Sequence, residues 1–158
     1  MFTQEESKSL RLEFWDKLNN RSRRLPGQKG RKKIWIFDNT GIKGLDLRFV
    51  ADRKKAQVAL EINHNNEGRR LFLYEKLSAC KSIFEKEFGE TLIWDFVYEK
   101  ETGEQVCRVF VEQSGDILQK ELWSEMIYFL ISKMIKLEKS FLTVKDYLQD
   151  DAINSNND

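Results

Sequence analysis

The 158 residues suit one domain, and 41% hydrophobic with 12% aromatic content is enough for a packed core. The chain is 34% charged, yet 27 basic against 26 acidic residues leave it near neutrality, so total charge selects no partner. No segment approaches the about twenty apolar residues a membrane helix needs, and the N-terminus lacks the basic and apolar regions of a signal peptide, so a cytoplasmic location is expected. Cys80 and Cys107 carry no CxxC or Cys/His spacing, and they read as small apolar residues.

In chain order, Thr3 and Glu6 form a capping-box pattern. Leu10, Phe14 and Leu18 then repeat every four residues, which predicts a helix over 4–20. Residues 21–33 hold the chain's one proline, two glycines and seven basic residues without an acid, and predict a loop. Ile34-Trp35-Ile36-Phe37 predicts a short strand. Leu45, Leu47 and Phe49, then Val58, Leu60 and Ile62, alternate with polar residues and predict two more.

Asn63-His64-Asn65-Asn66-Glu67 reads as a turn capping a helix. Leu73, Leu77, Cys80, Phe84 and Phe88 form its stripe, and Gly89 is its stop. Residues 91–98 and 105–112 predict a hairpin around Gly103. Asp116 is expected to cap a last helix over 117–145. That helix is apolar on most sides, so Trp123, Ile127 and Ile131 are candidate interface residues for a homodimer or protein partner. An acidic tail, 149–158, is expected to be disordered beyond a single domain over 1–148.

These elements give an α+β domain in the order α-β-β-β-α-β-β-α, with a mixed sheet of about five strands and three helices. Helix, three strands, helix, strand is also the order of a restriction-nuclease-like core. In such a core Asp46 and Glu61 would be the Mg²⁺-binding carboxylates. Asn63 then stands where a catalytic lysine is wanted. The simpler reading places both carboxylates on the outward, solvated phase of their strands. No other cofactor or metal is indicated. His64 is the single histidine, and no nucleotide-binding or nucleophile motif is present.

Thr40-Gly41-Ile42-Lys43-Gly44-Leu45, Val58-Ala59-Leu60-Glu61-Ile62, Phe88-Gly89-Glu90-Thr91-Leu92-Ile93-Trp94 and Trp123, in that order, resemble the bacterial family known as domain of unknown function 4268. The resemblance spans about residues 5–148. It implies no catalytic residues. Some members resemble fusions to restriction-type nuclease domains, which implies a setting of restriction or phage defence.

The basic run Arg21, Arg23, Arg24, Lys29, Arg31, Lys32 and Lys33 is the other candidate site. Such a cluster neutralises phosphates without reading bases, and no aromatic residue interleaves it for base stacking. Arg48, Arg53, Lys54, Lys55, Arg69 and Arg70 would extend the patch if folding gathered them. The expected function is a non-enzymatic accessory or binding domain that contacts nucleic acid. The alternatives are a homodimerisation or protein-interaction module and a divergent metal-dependent nuclease.

Overall fold

The computed structural model describes residues 1–24 and 40–156, with side chains described to residue 149. Helix α1 spans Gln4–Arg23. The Thr3 hydroxyl accepts from the Glu6 N–H at 3.1 Å, Glu5 and Glu6 occupy the first turn, and Arg21 and Arg23 the last. Acids at the start and bases at the end both suit the helix dipole. That explains why α1 passes the expected end at residue 20 and takes Arg21 and Arg23 out of the predicted loop. The predicted strand at 34–37, and Lys29, Arg31, Lys32 and Lys33, lie outside the described residues.

Strands β1 (Leu45–Ala51) and β2 (Lys55–Ile62) form a hairpin. Before β1, the buried Thr40 hydroxyl donates to the Leu45 carbonyl and accepts from the Ile42 N–H. Gly44 has φ +82°, and a Cβ there would lie 2.6 Å from the Cβ and 2.9 Å from the Cα of His64. Only glycine lets the two backbone stretches approach so closely. The Thr40–Leu45 landmark is thus a turn that sets where β1 begins.

Two helices follow, α2 (Glu67–Ala79) and α3 (Lys81–Phe88), where one was expected. They break at Cys80, whose N–H bonds back to Leu77 and Ser78 carbonyls. Asn66 caps α2 through the Arg69 N–H at 3.0 Å, and Gly89, at φ 94°, ends α3. The Glu85 carboxylate accepts from the Leu92 N–H (2.7 Å) and the Trp94 indole N–H (3.2 Å), which ties the Phe88–Trp94 landmark to α3.

β3 (Ile93–Glu99) and β4 (Gln105–Ser114) form the second hairpin, with a register irregularity between Asp95 and Tyr98. A 3₁₀ turn at Lys120–Leu122 then leads into α4 (Trp123–Asn156). The Asp116 carboxylate accepts from the Leu118 N–H two residues on, so it shapes the turn ahead of the 3₁₀ segment and does not cap the long helix. α4 continues beyond the expected end at 145 to Asn156, so most of the segment 149–158, expected as a disordered tail, is helical backbone.

The described sheet has four strands in the order β1-β2-β4-β3, and every neighbouring pair is antiparallel. Among the described residues the expected mixed sheet of about five strands with three helices is corrected to an antiparallel four-stranded sheet with four helices, the expected strand at 34–37 lying outside them. The expected restriction-nuclease-like core is not confirmed. β2 and β3 do run parallel, linked through α2 and α3, but β4 inserts between them and pairs with both.

One sheet face, bearing Leu45, Leu47, Val58, Leu60, Ile62, Cys107 and Val109, shares a single core with α1–α4. α4 supplies Ile127, Leu130, Met134, Leu137, Phe141, Val144 and Leu148 to it, alternating steps of three and four residues. Gln57, Ala59, Glu61, Arg108 and Phe110 take the opposite phase of the strands.

Candidate functional site

The two candidate carboxylates do meet. Asp46 pairs with Glu61 across β1–β2, and Glu61 pairs with Arg108 across β2–β4. Asn63 joins the carboxylates. Its side-chain amide donates to Asp46 Oδ2 at 2.9 Å and to Glu61 Oε2 at 2.7 Å.

Arginines occupy the remaining approaches. Arg48 Nε donates to Glu61 Oε2 at 2.6 Å, and its Nη2 to Asp46 Oδ2 at 3.2 Å. Arg108 grips Glu61 Oε1 through Nε (3.1 Å) and Nη2 (2.7 Å), while Lys100 Nζ stands 3.7 Å away. Gln57 Oε1 accepts from Arg108 Nη1 at 2.8 Å, and the guanidinium lies 4.3 Å from the centre of the Tyr98 ring.

Glu61 is fully buried and Arg108 nearly so. The expectation of a solvated Glu61 is thereby corrected: alternation put it on the phase opposite the core, but that face is closed over it. Burial pushes its pKa up. Hydrogen bonds from Arg108 and Asn63 and the charges of Arg48 and Arg108 outweigh burial and hold it below the usual carboxylate value. A carboxylate has about four acceptor positions, and four N–H donors already fill those of Glu61, with the Lys100 ammonium 3.7 Å away. Both amide hydrogens of Asn63 are also committed. Among the described residues no group of His, Cys, Asp and Glu is arranged to hold a metal ion.

The basic run falls differently. Arg21 and Arg24, at the C-terminal end of α1, line a cleft of about 680 Å³ with Lys17, Asn20, Lys120, Trp123, Ser124 and Ile127. Lys17 and Lys120 flank the Trp123 ring at 5.3 and 5.6 Å. Phe14 packs edge-on against that ring, which fixes α1 on the start of α4. Lys120 is paired with Glu13 at 3.0 Å. Arg21 and Arg24 have no ion-pair partner among the described residues.

The expected extensions of the patch do not converge here. Arg48 belongs to the Glu61 network, Arg53 lies 3.6 Å from Asp116, and Lys55 lies 3.7 Å from Asp52. Lys120 was not legible as a site residue, because only the docking of α1 on α4 brings it to Arg21, whereas Lys17 stands one turn before Arg21 on α1 itself.

Trp123, Ile127 and Ile131 are 3, 4 and 6% exposed and packed into the chain's own core, so they offer no outer face. The exposed apolar side chains of α4 among the described residues are instead Tyr128, Ile135 and Leu142, at seven-residue spacing, and Tyr147. Tyr128 and Ile135 border a broad groove with Phe129, Ile131 and Arg21.

Among the described residues no helix is long and apolar enough to cross a membrane. A family model described as Domain of unknown function (DUF4268) matches residues 10–145. No curated protein matches the chain, and no solved structure does.

Proposed function

The chain belongs to the DUF4268 family, whose description carries no activity, and we propose that it is a non-enzymatic binding domain that grips a nucleic-acid backbone in the cleft between α1 and α4. One observation carries this reading: four cationic side chains line a single cleft, and two of them, Arg21 and Arg24, find no carboxylate among the described residues. Cations left without internal partners are the ones that can release counterions from a phosphate chain. Lys29, Arg31, Lys32 and Lys33 follow within nine residues of Arg24 and add to the same reading. The resemblance to chains fused with restriction-type nucleases supports a setting of restriction or phage defence.

The Glu61 network speaks against hydrolysis by this domain. A Mg²⁺ ion would have to displace Arg48, Arg108 and Asn63 from a fully buried carboxylate. Fluorescence anisotropy with a labelled duplex at low and moderate salt tests the binding reading. Arg21→Gln with Arg24→Gln should weaken binding about tenfold at low salt and flatten the salt dependence. An unchanged affinity would remove the cleft from the mechanism. Wild type with Mg²⁺ should leave labelled DNA and RNA intact.

A second reading has its own observation. The exposed Tyr128, Ile135 and Leu142 seam favours self-association through the outer face of α4. Light scattering on wild type and on Ile135→Glu measures it: a dimer converted to monomer supports the seam, and a wild-type monomer excludes it.

A further inference from the structure

The basic cleft and the groove along α4 share two lining residues, Arg21 and Ser124. Both are exposed, so the two depressions join across solvent-facing surface. Phe129 and Ile131 floor the groove, at 7 and 6% exposure. Ser124, Tyr128 and Ile135 stand along it on the outer side of α4, at steps of four and seven residues.

Tyr128 is 72% exposed, more than any other aromatic side chain among the described residues, and its ring makes no ring or cation contact among them. Lys136 lines the groove without an ion-pair partner among the described residues, and Lys133 lines it while paired with Glu90 at 2.8 Å. Along cleft and groove together, six cations face one carboxylate, Glu125, among the described residues. A second copy seated here would meet the same cations across a two-fold axis, so the charge fits a polyanion better.

We propose that cleft and groove form one track for single-stranded nucleic acid, in which Arg21 and Arg24 hold the backbone and Tyr128 carries a stacked base. This rests on the binding reading above and deepens it by naming the ligand. Cations alone meet any phosphate chain. An exposed ring beside them adds a surface that only unpaired bases can use, because every base has a π-face and a paired one keeps it inside the duplex. The cleft has no other platform: Trp123 is 3% exposed, and its indole N–H is committed to the Ile117 carbonyl at 2.8 Å. A duplex therefore reaches the cleft through its phosphates and leaves Tyr128 idle.

The test uses the full chain and three fluorescein-labelled probes of about twelve nucleotides: a DNA single strand, the same strand with abasic sites in place of its bases, and the strand annealed to its complement. By anisotropy, wild type should bind the single strand about tenfold more tightly than the abasic strand, and more tightly than the duplex. Tyr128→Ala should erase that preference while leaving the abasic strand, the duplex and the salt slope unchanged, because the ring neutralises no phosphate. Tyr128→Phe should keep it. Tyr147→Ala is the control. Its ring lies under Lys76 Nζ at 3.7 Å, nineteen residues and about 28 Å farther along α4, and its loss should affect none of the probes.

Equal affinity for the base-bearing and abasic strands overturns the stacked base, as does an equal loss on both in Tyr128→Ala or a matching loss in Tyr147→Ala. Tighter binding of the duplex overturns the choice of a single strand. A wild-type dimer that Tyr128→Ala splits into monomers in light scattering gives the ring to a second copy and overturns the track as well. If the Arg21→Gln/Arg24→Gln variant weakens the abasic strand and the duplex while wild type ignores the bases, the track fails and the cleft reading stands. If wild type binds none of the three at low salt, or the arginine variant binds all three as wild type does, both fail.

Discussion

On one side of the sheet Arg48 and Arg108 both reach Glu61, whereas at the end of α1 Arg21 and Arg24 reach no carboxylate among the described residues. The two regions use the same residue types to opposite ends. In the first, register places Asp46, Glu61 and Arg108 in one row across three strands, and each charge is spent on its neighbours. In the second, helix docking gathers Lys17, Arg21, Arg24 and Lys120 around an open cleft, with Glu13 the one acid paired there among the described residues. Buried, mutually satisfied charge contributes to the stability of one arrangement; exposed like charge does little for the fold and is left to act on something outside it.

This contrast predicts that the two regions fail in different assays. The largest effect is expected at Glu61. Glu61→Ala leaves Arg108 buried without its counter-charge and should cost about 3–5 kcal/mol in chemical denaturation. Next comes Gly44→Ala, which meets the His64 backbone at positive φ and should cost more than about 1 kcal/mol by the same measurement. Neither should alter the salt slope of duplex binding in protein that remains folded.

Acid sharpens the first region. The folded pKa of Glu61 lies below its unfolded value, so its contribution is present above the unfolded pKa and disappears as pH falls through the folded one. Wild type and Glu61→Gln should therefore converge in stability as pH is lowered, and denaturation curves across the acidic range check it. The smallest effect is expected at Ser140, whose buried hydroxyl has no hydrogen-bond partner among the described residues. Ser140→Ala should be neutral or stabilise by up to about 1 kcal/mol in thermal melts.

Much of the fold was legible because side-chain period reports directly on local structure. Alternation at Leu45–Phe49 and Val58–Ile62, and the Gly89 and Gly103 punctuation, located both hairpins and the end of α3. The break at Cys80 was not legible. The stripe Leu73, Leu77, Cys80, Phe84, Phe88 keeps its spacing across the break, so periodicity reads straight through it. The end of α1 was misplaced because a run of arginines looks like a solvated loop, although arginine suits the last turn of a helix.

The site was half legible. Phase placed Asp46 and Glu61 on the sheet face away from the core, but phase says nothing about whether that face is closed. Arg108 emerged as the partner of Glu61 only from the β2–β4 register, which joins residues 47 apart in sequence. The apolar excess of α4 was correctly located and wrongly assigned: Trp123, Ile127 and Ile131 fill the core, leaving Tyr128, Ile135 and Leu142 outside.

The division between satisfied and unsatisfied charge meets its most direct test in the salt dependence of duplex binding by the Arg21→Gln/Arg24→Gln variant. A log–log slope shallower than wild type by about 2, with unchanged denaturation, is the predicted result. A slope equal to wild type would contradict it, as would a loss of binding accompanied by an equal loss of stability.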